Sequence, residues 1–326
     1  MNSASTSMPL RPATTATGAV LLMAYGSPRD QADILPYYTH MRGGRTPTAE
    51  ALAELESRYA AIGGHSPLTE ITIAQAEALR AVLQAEHGDS WDVVVGMKHN
   101  HPFLEEAVAD LQARGIERVI AMVLAPHYSA MSVAGYVQRV RAAAQEHGGG
   151  SIRMDFIEDW HLHQGYVAWL ARQVRAQLDA LGSARAAEAL VVFTAHSLPA
   201  KLRQMGDPYP DQLGETAAAV AASLNLPNWT TGWQSVAQSA GEPWLGPELL
   251  EVVRQEAARG RRDFVVCACG FVADHLEILF DLDHEAKEEA GRLQVTIVRT
   301  KMPNSDPEFV REVLFDLVDR EIRKPD

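Results

Sequence analysis

A chain of 326 residues with 47% hydrophobic content is long enough for one large or two medium lobes, and it supplies a real core rather than a disordered coil. Its formal net charge of −13 argues against nucleic acid or an anionic membrane surface as partner, since both reward basic surface; a cation or a small molecule fits better. The only cysteines, Cys267 and Cys269, stand too close together to clip distant loops, so a reducing cytoplasm is the expected compartment.

Residues 1–17 are rich in Ser, Thr, Ala and Pro and lack an apolar signal segment, so they read as a flexible N-terminal tail. Their want of acids and single Arg11 give them only a faint likeness to an organelle transit peptide. Nowhere does an apolar run approach the roughly 20 residues that span a bilayer, and no transmembrane segment is expected.

From residue 18 onward, short β-rich apolar runs at 19–24, 93–97, 119–124, 154–157, 190–194, 264–267 and 295–298 alternate with longer segments. Among the latter, 47–62, 71–86, 133–147 and 166–181 carry apolar residues at helical spacing. This rhythm predicts an α/β protein with parallel sheets covered by helices on both faces. The run Gly148, Gly149, Gly150 marks the expected boundary between an N-terminal lobe, 18–150, and a C-terminal lobe, 151–302. In the last segment, 303–326, Ser305 and Glu308 form a capping box with Pro307 in the first turn, opening a helix to about residue 322 that packs back on the first lobe. Val123 to His127 and Phe193 to His196 both run from a strand into a histidine, a hint of internal repetition.

Ligands of open α/β sheets bind beyond the carboxyl ends of the strands. Those ends carry Tyr25-Gly26-Ser27-Pro28, Pro126-His127-Tyr128-Ser129, His196-Ser197-Leu198-Pro199 and Gly270-Phe271. Neither G-x-G-x-x-G nor G-x-x-x-x-G-K-[ST] occurs, which disfavours a nucleotide. His196, directly after a buried strand, suits a base or a metal ligand, or merely hydrogen-bonds a neighbouring loop. Ser197 is not a hydrolase nucleophile, because no G-x-S-x-G elbow surrounds it.

Glu277, Asp281 and Glu285, four apart, share one helical face, where like charges repel. Such a row is either solvated, with Asp274 and Glu277 forming a capping box, or awaits cations. Arg42, Arg45 and Arg58 lie near the Gly63 to Leu68 segment, and guanidinium groups bind carboxylates in paired fashion, although exposed helix arginines are the commoner case.

The segments Met23-Ala24-Tyr25-Gly26, Tyr37-Tyr38-Thr39-His40, Arg58 to Gly64, Ser66-Pro67-Leu68, Leu124 to His127, Ala195 to Pro199, Gly206 to Pro210, Gly232 to Ser235, Trp244 to Pro247 and Gly270 to Glu277 resemble, in order, those of ferrochelatases. The resemblance implies two Rossmann-like lobes around a porphyrin cleft, with ferrous iron and a porphyrin as substrates. It implies that His196 and Glu277 face each other across the metal from opposing walls, and that Asp281 and Glu285 extend a cation route from Glu277. Tyr25 resembles the tyrosine of the coproporphyrin-specific branch, while Arg42, Arg58, Tyr59, Ser66, Tyr136 and Ser235 match positions around the macrocycle and its propionates.

Relatives often carry two adjacent arginines where this chain has Arg42-Gly43-Gly44-Arg45, so one propionate contact departs from the pattern. Two cysteines cannot supply the four thiolates of an iron–sulfur cluster, and none is expected. A protoporphyrin enzyme, a cobalt-inserting chelatase and a haem or porphyrin carrier without turnover are the other readings, and transient contact with neighbouring haem-pathway enzymes is compatible with all of them.

Overall fold

Seven residues, Gly-Ala-Val-Leu-Leu-Met-Ala, make β1 (Gly18–Ala24), and all seven are buried, as a strand must be when helices cover both faces of its sheet. In this computed structural model, which describes residues 16–146, 152–236 and 242–325, β1 is followed by α1 (Ile34–Met41), α2 (Ala49–Ala61), α3 (Leu68–His87), β2 (Trp91–Met97), α4 (Leu104–Ala113), β3 (Arg118–Val123), α5 (Val133–Glu146) and β4 (Arg153–Ile157). A second set runs α6 (Gln164–Leu181), α7 (Ser183–Glu188), β5 (Leu190–His196), α8 (Lys201–Gln204), α9 (Tyr209–Leu224), β6 (Trp229–Gln234), α10 (Leu249–Ala258), β7 (Asp263–Cys267), α11 (Leu276–Leu279), a π-helical stretch (Asp281–Glu285), α12 (Ala286–Leu293) and β8 (Thr296–Arg299). The chain closes with α13 (Pro307–Phe309), a second π-helical stretch (Val310–Phe315) and α14 (Asp316–Ile322).

The strands form two all-parallel sheets ordered β2-β1-β3-β4 and β6-β5-β7-β8. The order is the same in both, so the hinted repetition is real at the level of topology but out of register. The partner of β5, which ends in His196, is β1, which leads into Tyr25, and not β3, which leads to His127. Every strand run expected from hydrophobicity occurs, and β6 is an addition. Its sequence Trp-Thr-Thr-Gly-Trp-Gln is too polar to stand out, which its place at a sheet edge tolerates.

The expected lobe boundary needs correction. The Gly148 to Gly150 run lies outside the described residues, but β4 follows it and pairs with β3 in the first sheet, Val119 opposite Met154 and Met122 opposite Ile157. The first sheet therefore extends to Ile157. Of the expected tail, residues 1–15 lie outside the described residues, whereas Ala16 is buried and the Thr17 carbonyl accepts from the Glu117 and Arg118 amides.

One core cluster joins residues of both sheets, from Val20 and Leu22 to Val191 and Phe193, through Tyr166 and Trp169 of α6 and Phe309 and Val313 of the last helical segment. That segment is capped by Asp306, whose carboxylate accepts from the Glu308 and Phe309 amides, rather than by Ser305. It braces both lobes: Arg311 pairs with Glu86 and Asp319 with His87 on α3, while Glu312 pairs with Arg172 on α6 and Asp316 with His163 at the N-cap of that helix. Among the described residues no helix is long and apolar enough to cross a membrane.

Candidate active site

The strand order reverses direction at β1 and β5, and the crevice expected there is occupied by a cavity of about 540 Å³. Its wall is made of the residues just beyond β1, β2, β3, β5 and β7, closed by α1, α2, α3 and α5. The volume suits a cofactor-sized molecule.

His196 is the last residue of β5. Its backbone carbonyl accepts from the Tyr209 hydroxyl at 2.8 Å, and its Nδ1 lies 3.5 Å from the Gln234 carbonyl, which turns Nε2 toward the cavity. After β7 the chain returns through Gly270, where a Cβ would stand 2.5 Å from the Ala195 Cβ; only glycine lets this loop press against the end of β5. The same loop leads into α11. There His275 is the N-cap, its Nδ1 accepting from the Glu277 amide at 3.1 Å and more weakly from the Ile278 amide. This replaces the Asp274 capping box, so the Glu277 side chain is not spent on the backbone.

His196 Nε2 and Glu277 Oε1 are 3.9 Å apart, and Glu277 Oε2 is buried with no hydrogen-bond partner. A first-row divalent ion with bonds of about 2.1 Å can touch two donors separated by up to about 4.2 Å, so one ion can reach both. Burial by itself would raise the Glu277 carboxyl, but the charges of His196, His275 and Arg58 outweigh it and hold the group below the usual carboxylate range. The two residues do not come from opposing walls: they rise from the neighbouring strands β5 and β7 of the second sheet. It is Tyr25, from the first sheet, that belongs to the other lobe, and its hydroxyl is pushed up to about 12 by the surrounding cleft and by Glu277.

Beyond Glu277 the acidic row enters the π-helical stretch, where the Glu285 amide bonds back five residues to the Phe280 carbonyl. Asp281 is buried and doubly bonded, accepting from Arg58 Nη2 at 2.7 Å and from Ser235 Oγ at 2.7 Å. Glu285 is exposed. Desolvation and the charge of Glu277 raise the Asp281 carboxyl to about 7, against the opposing pull of Ser235 and Arg58.

Tyr25, Arg58, Tyr59, Ser66, Tyr136, His196 and Glu277 thus share one cavity wall. Ser235 and Asp281 stand just behind it, linked to it through Arg58. Arg42 is exposed, with its guanidinium 5.5 Å from the Tyr38 ring centre, and does not line the cavity. Lys98, His99, His127 and His275 line it as well, without having been singled out for a role in the sequence. Lys98 and His99 follow β2, so reading the end of that strand as the others were read would have found them.

Two parallel sheets of one strand order around a cavity, with an imidazole and a carboxylate within reach of a single ion, define a protein of the chelatase class. The fold agrees: sirohydrochlorin chelatase SirB from Bacillus subtilis subspecies spizizenii, in complex with cobalt, superposes with TM-score 0.51 at 12% identity, over 91% of this chain and 92% of that one. SirB from Bacillus subtilis with Fe3+ gives 0.54 at 13% identity, over 94% and 98%. The ferrochelatase family profile matches residues 17–322, and the chain belongs to that family. Similar relatives include the coproporphyrin III ferrochelatase of Oceanobacillus iheyensis, 40% identical over 92% of this chain and 95% of the relative. That of Listeria monocytogenes serotype 4b is 41% identical over 92% and 96%, and the ferrochelatase of Herpetosiphon aurantiacus is 40% identical over 91% and 96%.

Proposed function

We propose that this chain inserts Fe(II) into coproporphyrin III in the cytoplasm, without an iron–sulfur cluster, and that His196 and Glu277 perform the insertion. The observation that carries the reading is the 3.9 Å separation of His196 Nε2 and Glu277 Oε1 at the cavity wall, beside the unpartnered Glu277 Oε2. Imidazole and carboxylate suit ferrous iron, and the lowered Glu277 carboxyl is ionised at neutral pH, ready for a cation or a proton.

Insertion exchanges one dication for two pyrrole protons, so iron must shed water while the ring loses both protons and bends toward the metal. His196 and Glu277 divide metal handling and proton acceptance. Tyr25 stands on the opposite lobe, so a ring in the cavity lies between it and the His196 and Glu277 pair. Arg58, Tyr59, Ser66 and Tyr136 hold the macrocycle by its rim, with Ser235 acting on Arg58 through Asp281 and Arg42 serving from outside the wall. Distortion of the ring draws on that remote binding energy. Asp281 and Glu285 lead hydrated cations toward Glu277.

Coproporphyrin is favoured by Tyr25 and by the names of the relatives at 40% and 41% identity. Anaerobic mixing of the purified chain with ferrous iron and each free porphyrin tests the reading. A metalloporphyrin spectrum with a clear preference for coproporphyrin III is expected; preference for protoporphyrin IX overturns the branch, and binding without turnover makes the chain a carrier.

A further inference from the structure

Lys98 follows β2 at the cavity wall, together with Ser132 and Tyr136 of the loop and first turn of α5. Its Nζ sits 4.7 Å from the centre of the Tyr136 ring and 3.4 Å from the Ser132 carbonyl. Among the described residues no carboxylate pairs with it. The neighbouring cation, Arg139, is already satisfied: it pairs with Glu105 at 2.7 Å and donates to the Lys98 carbonyl.

A half-buried ammonium without a counter-charge is unfavourable, and this chain has 42 acids against 29 Lys and Arg from which to supply one. The space for the ammonium is nonetheless provided. Residue 135, beside it in α5, is glycine, and a Cβ there would stand 3.0 Å from Lys98 Nζ. Burial and Arg139 both depress the ammonium, as expected of a cation kept among like charges and waiting for an anion.

Resting on the porphyrin reading above, we propose that Lys98 determines specificity by anchoring one carboxylate of the ring, so that the cavity selects tetrapyrroles carrying more acidic side chains than Arg58 alone can pair. Arg42 lies outside the cavity wall, and Lys98 supplies a second cation within it, from the segment after β2 rather than from α2. A carboxylate meeting the ammonium over the Tyr136 ring would make a charge-assisted contact, stronger than a neutral one.

Steady-state iron insertion by the full chain, with the four-carboxylate ring coproporphyrin III and the two-carboxylate ring protoporphyrin IX, tests this in Lys98→Met and Lys98→Arg. Lys98→Met should raise KM for the four-carboxylate ring about tenfold and for the two-carboxylate ring far less, leave KM for iron in place, and be largely rescued by Lys98→Arg. An equal rise for both rings, no rise for either, or failure of the arginine to rescue would mean that Lys98 only props Tyr136, and would overturn the inference. The two readings fail separately: a wild-type chain inert on both rings sinks the porphyrin reading, whereas an active wild type with an unaltered Lys98→Met variant sinks this one alone.

Discussion

Arg58 on α2 donates to the Asp281 carboxylate at 2.7 Å, tying the first lobe to the π-helical stretch of the second beside the cavity wall. Asp281 is held there against its own titration, since desolvation and Glu277 lift it to about 7 from 3.8. The buried carboxyl keeps a proton that the unfolded chain would already have lost. The folded state therefore binds more protons than the unfolded state between about pH 4 and pH 7, and its stability falls as pH rises through that window and levels off above it. Urea unfolding at pH 5 and pH 8 should show this loss, on the order of a few kcal/mol at most, and Asp281→Asn should flatten it. Identical pH slopes for the two proteins would refute the assignment.

If His196 and Glu277 act as proposed, removing either should stop the chemistry without emptying the cleft. His196→Ala and Glu277→Gln should each lower kcat by on the order of a hundredfold or more. The double variant should be little worse than the singles, because residues acting as a unit are not additive. Porphyrin binding, followed by fluorescence quenching, should survive. A folded His196→Ala protein with near-normal insertion would remove the pair from the mechanism.

The role proposed for the acidic row, metal supply rather than ring binding, is separable by mutation. Assayed at pH 8, where Asp281 is ionised, Asp281→Asn combined with Glu285→Gln should raise the iron concentration needed for half-maximal rate several-fold, because two of the three carboxylates proposed to attract the cation lose their charge. Unchanged dependence on iron would reduce the row to a solvated face with one ion pair.

Gly270 couples the fold to the site. In Gly270→Ala the new methyl meets Ala195 Cβ and Cα at 2.5 and 2.7 Å, so the loop must retreat from β5. A loss of roughly 1–3 kcal/mol is expected from overpacking, with a fall in activity larger than the stability loss explains, since His196 and Glu277 flank the contact. Retained activity at a lowered denaturation midpoint would show that the close approach serves packing alone.

The parallel sheets were legible because buried strands are continuous apolar runs, and β1, β3, β5 and β7 are of this kind. The strand β6 was not, since its edge position tolerates the polar run Trp-Thr-Thr-Gly-Trp-Gln, whose Trp229 is exposed and Thr230 only partly buried. The glycine run near residue 150 misled for a related reason: a cluster of glycines in the sequence does not say where the next strand pairs, whereas hydrogen bonding across the sheet, here β3 to β4, decides to which lobe it belongs. His196 and Glu277 stood out through their motifs. Lys98 did not, because an ammonium becomes informative only once its neighbours are known to include no acid.

Local chemistry written in the chain determined that there would be strands with reactive ends, a histidine after one of them, carboxylates at helical spacing and arginines nearby. These follow from periodicity and residue type, which are properties of near neighbours along the backbone. Tertiary structure alone decided that β5 and β7 lie side by side, bringing residues 196 and 277 to within one ion's reach, that Arg58 closes on Asp281 from the other lobe, and that Arg42 turns outward. Such distances depend on sheet order and on the packing of segments far apart in the chain, and no local pattern encodes them.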